Sequence, residues 1–467
     1  MKIMRLCCTV VGAATLLLSC YLTSTQTTGK IVFSVVSQSR GITAGSNLIR
    51  ASLFSVKDVG GNWVGQSLYT FPGGLTYTQG SVGSTLTLSN IPVGTWAVLV
   101  TAGRSDSSGN FITTDYNYPY VVVSVVPGED NPVTVTLQPS SVKATSLFGT
   151  NVPGVVNVSG TIYAVTSTQL YSVSGAIASA VGSPLPGGVS ANSVGAGYYP
   201  GPPTGGPAVA IPYINTNAGI YYYTSSIQSD LAASNPIPML ESAAFSSGPD
   251  VALFYENQTG FGGAWLVTLS PFTWTNFNTG GAISGKPIYD FAVTQNSLPP
   301  SFVYFASKLG AFQANQSVVS SQIANIMNAA KFFTVPDGST IISLCAAGSG
   351  SQPFYIGSTS GGWSATLNES STPPVTGQTK ISATSGDSII KIAAGAGYVA
   401  FLSQYNLYLL NTSTSAVKVY PFYSGLPGQL SAMAWSATGP TLYIAGAASA
   451  STGAPGGLVT ISGAGLP

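Results

Sequence analysis

Eight carboxylates lie in the C-terminal two-thirds of the chain: Asp230, Glu241, Asp250, Glu256, Asp290, Asp337, Glu369 and Asp387. Two of them facing across a cleft could serve as the acid and base of a glycosidase, and several with backbone carbonyls could hold calcium. None stands in a D-x-D-x-D-G-like loop, and Asp337-Gly338 reads as a turn dipeptide. The sequence contains no histidine. That removes Ser-His-Asp and Cys-His catalysis, and the imidazole ligands of most zinc and copper sites. Cys345 sits in the apolar run 341–347 with no histidine to act as its base, so it reads as a small hydrophobe rather than a nucleophile. Gly348-Ser349-Gly350-Ser351 lacks the following helix and lysine of a phosphate cradle. No catalytic residue, metal site or cofactor is expected.

What remains for recognition is aromatic surface. Tyr198 and Tyr199 lie in a Gly/Pro-rich stretch, Tyr222 in the run 221–223, and Trp274 between Phe272 and Phe277. These four are the candidate ligand contacts, because exposed Tyr and Trp suit carbohydrate and protein recognition. The competing reading for each is packing between strands.

Charge excludes one partner class. Charged residues make up 6% of the chain, with 14 basic and 13 acidic. No run of Lys or Arg exists to track phosphates, so nucleic acid is not expected. Low charge with 55 Gly could signal disorder, but 45% hydrophobic residues and 24 Tyr supply material for a core.

The N-terminus carries Lys2 and Arg5, then 13 uncharged, mostly apolar residues from 6 to 18, too short to span a bilayer as a helix. The run ends in Leu17-Leu18-Ser19-Cys20. This resembles the lipobox of bacterial lipoproteins. The resemblance implies a signal peptide over 1–19, and Cys20 as the acylated mature N-terminus. Each buried methylene of an acyl chain contributes about 0.8 kcal/mol to anchoring. Tyr21 is not Asp, which by the same resemblance implies no inner-membrane retention. Cys7 and Cys8 fall in the leader, so only Cys345 is left and no disulfide framework exists.

The elements that must carry any site read as strands. A tether over 20–29 is followed by β-branched and aromatic runs at 31–36, 48–54, 84–88, 95–100, 120–125 and 133–137, most bounded by Gly, Asn, Asp or Pro. Within them, Ile91-Pro92-Val93-Gly94-Thr95-Trp96 joins two strands through a Pro-x-Gly turn, and Val126-Pro127-Gly128 precedes another. This order is similar to the Ig-like or prealbumin-like domains of bacterial surface lipoproteins. It implies a β-sandwich over 30–140, with Trp96 in its core, and says little of function. Residues 138–143 read as a linker.

From 145 to 467 a weak unit recurs: an apolar strand with a central aromatic, a turn, and a second strand. Anchors at Tyr163, Tyr221, Phe254, Tyr304, Tyr355, Val399 and Tyr443 are 58, 33, 50, 51, 44 and 44 residues apart. That suits the four-stranded blade of a β-propeller, and the strand pairs look like the middle strands of quinoprotein-like or kelch-like blades. The expected fold is all-β: an N-terminal sandwich followed by a propeller of six to eight blades. Residues 317–333 have some helical spacing, and 198–214 read as an inter-blade loop. The expected function is that of a lipid-anchored cell-envelope lipoprotein at the outer membrane or cell surface. It would be a non-catalytic binding or structural module for a glycan or an envelope protein. The alternative is a carboxylate-dependent carbohydrate-active propeller enzyme, a hydrolase or lyase.

Overall fold

The computed structural model describes residues 28–37, 42–59, 62–199, 209–229, 241–244, 251–256, 263–269, 272–276, 288–293, 302–307, 310–315, 332–347, 353–421, 424–449 and 452–467. Two compact units divide the chain. Residues up to 56 with 66–102 and 115–138 form the first, and 57–65, 103–114 and 139–467 the second. Among the described residues, regular structure is strand apart from single 3-10 turns at Ser382–Thr384 and Gly463–Gly465. No helix there is long and apolar enough to cross a membrane.

The first nine strands are β1 (Thr28–Ser37), β2 (Leu48–Val59), β3 (Asn62–Leu68), β4 (Thr78–Ser81), β5 (Leu86–Pro92), β6 (Gly94–Ser105), β7 (Phe111–Tyr116), β8 (Val121–Val125) and β9 (Asp130–Pro139). They pair in the order β3-β2-β6-β7-β9-β1-β5, with β4 beside β2 and β8 beside β6. Ile31, Phe33, Leu88 and Val135 from one end of this path share a core with Ile49, Leu53, Val98 and Val100 from the other. The two layers expected of a sandwich are thus the two ends of one curled sheet. Strand β9 buries every second residue from Asn131 to Leu137, as the period of two requires. Each fully buried Ile or Phe here stabilises the fold by roughly 1.5–3 kcal/mol.

The Pro-x-Gly turn works as its residues dictate. Gly94 takes φ +143°, a region that side chains disfavour. The Trp96 indole N–H donates to the Pro92 carbonyl at 2.8 Å, and its ring meets Tyr69 edge-on at 5.4 Å. The tether assignment needs a correction: Thr28 and Gly29 already belong to β1, because they pair with Pro92 and Ile91 of β5. Residues 20–27 lie outside the described part.

Seven four-stranded units follow among the described residues. Their inner strands are, in order, Gly154–Val158, Ala191–Tyr199, Glu241–Ala244, Ile288–Val293, Ile341–Ala346, Ile389–Gly395 and Gln429–Trp435. Each opens an antiparallel meander, and we number these blades 1 to 7. A parallel bridge, Ala196 to Ala243, links the inner strands of blades 2 and 3. Successive blades meet along their inner strands, blade 3 touching blade 4 through its second strand, and blade 7 returns to blade 1. The fold is a closed β-propeller, which buries blade faces and leaves only short edges.

Three sequence readings change here. Tyr221 lies in the third strand of blade 2, Gly219–Tyr223, whereas the other anchors lie in second strands. The true second strand is Val209–Thr216, and the uneven spacings of 58 and 33 came from missing it. The Gly/Pro-rich stretch around it is not an inter-blade loop. Tyr198 and Tyr199 end the inner strand and pair with Ala210 and Val209, and Pro212 is tolerated opposite Ala196. Lastly, the supposed linker contains Val142–Ala144, which pairs antiparallel with Gly457–Ser462 as the outermost strand of blade 7. The helical spacing at 317–333 falls outside the described residues up to 331; Phe332–Phe333 is the outer strand of blade 4.

Candidate functional site

The inner strands surround the propeller axis, and five of them break register at the same place. In blade 2 the pairing slips between Ala191 and Ser193, in blade 4 between Ile288 and Asp290, and in blade 5 between Ile341 and Ser343. In blade 6 it slips between Ile389 and Lys391, and in blade 7 between Leu430 and Ala432. Each is a β-bulge near the start of the strand. The extra residues are Asn192, Tyr289, Ile342, Ile390 and Ser431. A bulge leaves one residue out of the ladder and re-aims its side chain. All five lie on inner strands, where Tyr289 packs against the core of blades 4 and 5 and the Ser431 hydroxyl bonds towards blade 1. Ile390 is 45% exposed, unusual for a large aliphatic residue, and the other four are half-buried.

The polar residues beside the bulges join blade to blade. The Leu344 N–H of blade 5 donates to Asp290 of blade 4 at 2.8 Å. Ser343 donates to the Ile389 carbonyl of blade 6 at 3.2 Å, and Lys391 to the Ser431 carbonyl of blade 7 at 3.4 Å. Ser431 in turn donates to the carbonyl of Val152, just before blade 1, at 2.9 Å. Asn157 of blade 1 reaches back to the Trp435 carbonyl at 2.7 Å, and the Trp435 indole to Ala393 of blade 6 at 3.0 Å. This chain of bonds fixes the inner strands against one another and holds the bulges in place.

A second device sets the turns between second and third strands. Thr166, Thr216, Ser307, Ser358 and Ser403 each donate a hydroxyl to the carbonyl three residues on: Gln169, Gly219, Gly310, Gly361 and Asn406. The last four hydroxyl residues are almost wholly buried. Gly310 and Gly361 take φ of +136° and +146°. A Cβ on Gly310 would stand 2.6 Å from the Phe332 ring. The hydroxyl-x-x-Gly spacing of Thr216, Ser307 and Ser358 was a signal in the sequence, overshadowed there by the aromatic runs.

Asp290, Asp337 and Asp387 are committed to bonds within the protein. Asp337, in the loop before blade 5, accepts from Ser339, Ser360 and Lys380, the last at 3.0 Å. Burial pushes its pKa up, but those hydrogen bonds outweigh it and hold the carboxyl well below the usual range. Asp387, before blade 6, accepts from Asn406 at 3.0 Å and Tyr408 at 2.9 Å. There burial wins over the hydrogen bonds and raises the pKa. Glu241 and Glu256 lie in strands of blade 3. Asp230 and Asp250 lie outside the described residues. Among the described residues no three of His, Cys, Asp and Glu converge as a metal would need.

Two inner-strand groups are chemically altered by their setting. Cys345 of blade 5 is half-buried, and the protein packed round it pushes its thiol up to about 12. It is therefore protonated and a poor nucleophile at neutral pH. The Lys391 ammonium is lowered to about 8 by burial.

Tyr222 is 7% exposed and packs on Tyr213 with ring centroids 6.0 Å apart, so it is a core residue rather than a ligand contact. Three consecutive residues, Ile220 to Tyr222, are buried on both faces of their strand, which a run of tyrosines cannot reveal. Tyr198 and Tyr199 end the inner strand of blade 2, and Trp274 lies in the outermost strand of blade 3 opposite Val267. Cys20 lies outside the described residues.

No family model matches the chain, and no curated protein matches it in sequence. Solved structures similar to it include PorZ, a surface component of the type-IX secretion system of Porphyromonas gingivalis. There the TM-score is 0.41 at 13% identity, over 68% of this chain and 37% of that one. The extracellular domain of a hybrid two component system from B. thetaiotaomicron aligns with TM-score 0.42 at 14% identity, over 67% of this chain and 40% of that one. The Swd1 β-propeller domain of Myceliophteria thermophila aligns with TM-score 0.46 at 9% identity, over 68% of this chain and 98% of that one. The chain thus matches well under half the length of the first two.

Proposed function

We propose that this protein is a membrane-anchored cell-envelope lipoprotein of the outer membrane or cell surface. It serves as a non-catalytic binding or structural module. In this reading residues 1–19 are the signal peptide, Cys20 carries the lipid, 20–27 tether the chain, 28–139 form a spacer, and 142–467 present a propeller to a glycan or an envelope protein. One observation carries the binding role: among the bulged inner strands, Ile390 of blade 6 stands 45% exposed beside two blade-to-blade bonds, Ser343 to Ile389 and Lys391 to Ser431. An exposed aliphatic side chain on a rigid strand is suited to docking. The described aspartates support the non-catalytic part, since Asp290, Asp337 and Asp387 already bond within the protein.

The test has two arms. Cells fed a labelled fatty acid should load the wild-type protein and not the Cys20→Ala variant. On glycan and peptide arrays, the ligand that wild type retains should bind Ile390→Glu at least ~10-fold more weakly, a loss of about 1.4 kcal/mol. Turnover of a retained glycan would overturn the non-catalytic reading.

A further inference from the structure

Two of the exposed large aliphatic residues share one end of the curled sheet. Val93 is 47% exposed and Val126 is 41% exposed. Val93 sits in the turn between Pro92, paired with Thr28, and Gly94, paired with Val125. Val126 follows that same Val125. The next turn folds back so that the Gly128 N–H donates to the Thr28 carbonyl at 3.2 Å. Both valines therefore flank Thr28, where the chain arrives from Cys20. Cys20 and Thr28 are eight positions apart, a reach of at most about 28 Å when fully extended.

The charges at this end are few. Lys30 and Asp130 pair at 3.6 Å and are both exposed, and Glu129 stands beside them. One cation against two anions leaves a net −1, so attraction to anionic headgroups is not the driving term. What distinguishes this end is exposed aliphatic surface within a short leash of the lipid site.

We propose that Val93 and Val126 rest on the phospholipid surface that holds the lipid, so that the curled sheet stands on the bilayer by this end. The proposal rests on the reading that Cys20 is acylated. Partial immersion of two valines is weak by itself, since burying a whole Val side chain yields only about 1.5–3 kcal/mol. The leash makes it effective, because it turns docking into an intramolecular step at high local concentration. The contact is hydrophobic and persists at high salt.

The experiment uses the full acylated chain in vesicles of phosphatidylethanolamine and phosphatidylglycerol. In a Cys345→Ala background, a nitroxide is attached at Val93→Cys, Val126→Cys or Ser107→Cys. Ser107 lies just beyond the other end of the 12-residue strand β6. Spin relaxation by oxygen, which enters lipid, is compared with that by a water-soluble nickel chelate, and intact mass reports the acyl chains. On vesicles the oxygen-to-nickel ratio should rise several-fold at 93 and 126 and stay unchanged at 107, in 0.1 M and 1 M salt alike. An acylated, vesicle-bound protein whose labels at 93 and 126 sample only water overturns the docking and leaves the anchor standing. A mature chain without acyl groups overturns the anchor, and the docking with it.

Discussion

Lys391 is the only cation on the described inner strands, and its setting has a measurable consequence. Burial lowers its pKa to about 8, below that of the unfolded chain. Between about pH 8 and pH 10 the unfolded state binds the extra proton, so stability rises with pH across that window. At pH 7 the folded protein holds an unfavourably placed charge. Lys391→Met should remove the rise, and should raise stability at pH 7 by on the order of 2 kcal/mol, less the lost bond to Ser431. Denaturant midpoints at pH 7, 8 and 9.5 check this. A midpoint for the variant that still climbs with pH would assign the slope to another group. One reading made beforehand concerned the thiol alone: a chain with no histidine leaves Cys345 without an imidazole base. What Asp337 and Asp387 do was not legible. Their partners Ser360, Lys380, Asn406 and Tyr408 lie 19 to 43 residues away, and only folding brings them close.

The turns between second and third strands depend on a single buried hydroxyl. Ser358 donates to the Gly361 carbonyl at 2.9 Å, and its oxygen accepts from the Ser360 N–H and the Trp363 indole, each at 3.2 Å. Ser358→Ala orphans all three groups. It should cost about 2–3 kcal/mol, lowering the denaturant midpoint without changing the m-value. Ser364→Ala, half-buried on the following strand and making only a long 3.4 Å bond to the Thr379 carbonyl, should change stability by no more than about 0.5 kcal/mol. Strand existence was readable from β-branched and aromatic runs, as at 31–36, 133–137 and 398–402. Blade phase was less so. A tyrosine marks the second strand in blades 4, 5 and 7, but three consecutive tyrosines drew the anchor of blade 2 one strand too far. Bulges leave no trace in composition, so they emerged only from the pairing register.

At the scale of the molecule, closure of the ring rests on three residues. Val142–Ala144 complete the sheet of blade 7, pairing with Ile461, Thr460 and Val459. Lys143→Pro removes a backbone donor and fixes φ in this short strand. It should lower the melting temperature by several degrees and open the 457–462 edge to proteolysis. An unchanged melting curve and digestion pattern would show that the inter-blade bonds at the axis suffice. The all-β class and the repeat length were visible in the sequence. The closing strand was not, because a three-residue match to a segment some 320 positions away carries no local signature.

The same pairing fixes an order of events. Residue 142 is made some 320 residues before residue 461, so the circle cannot shut until the later segment has followed. A chain passed head-first through a narrow pore would have residue 142 across before its partner strand was made. The finished ring, too wide to thread, would then form only on the far side.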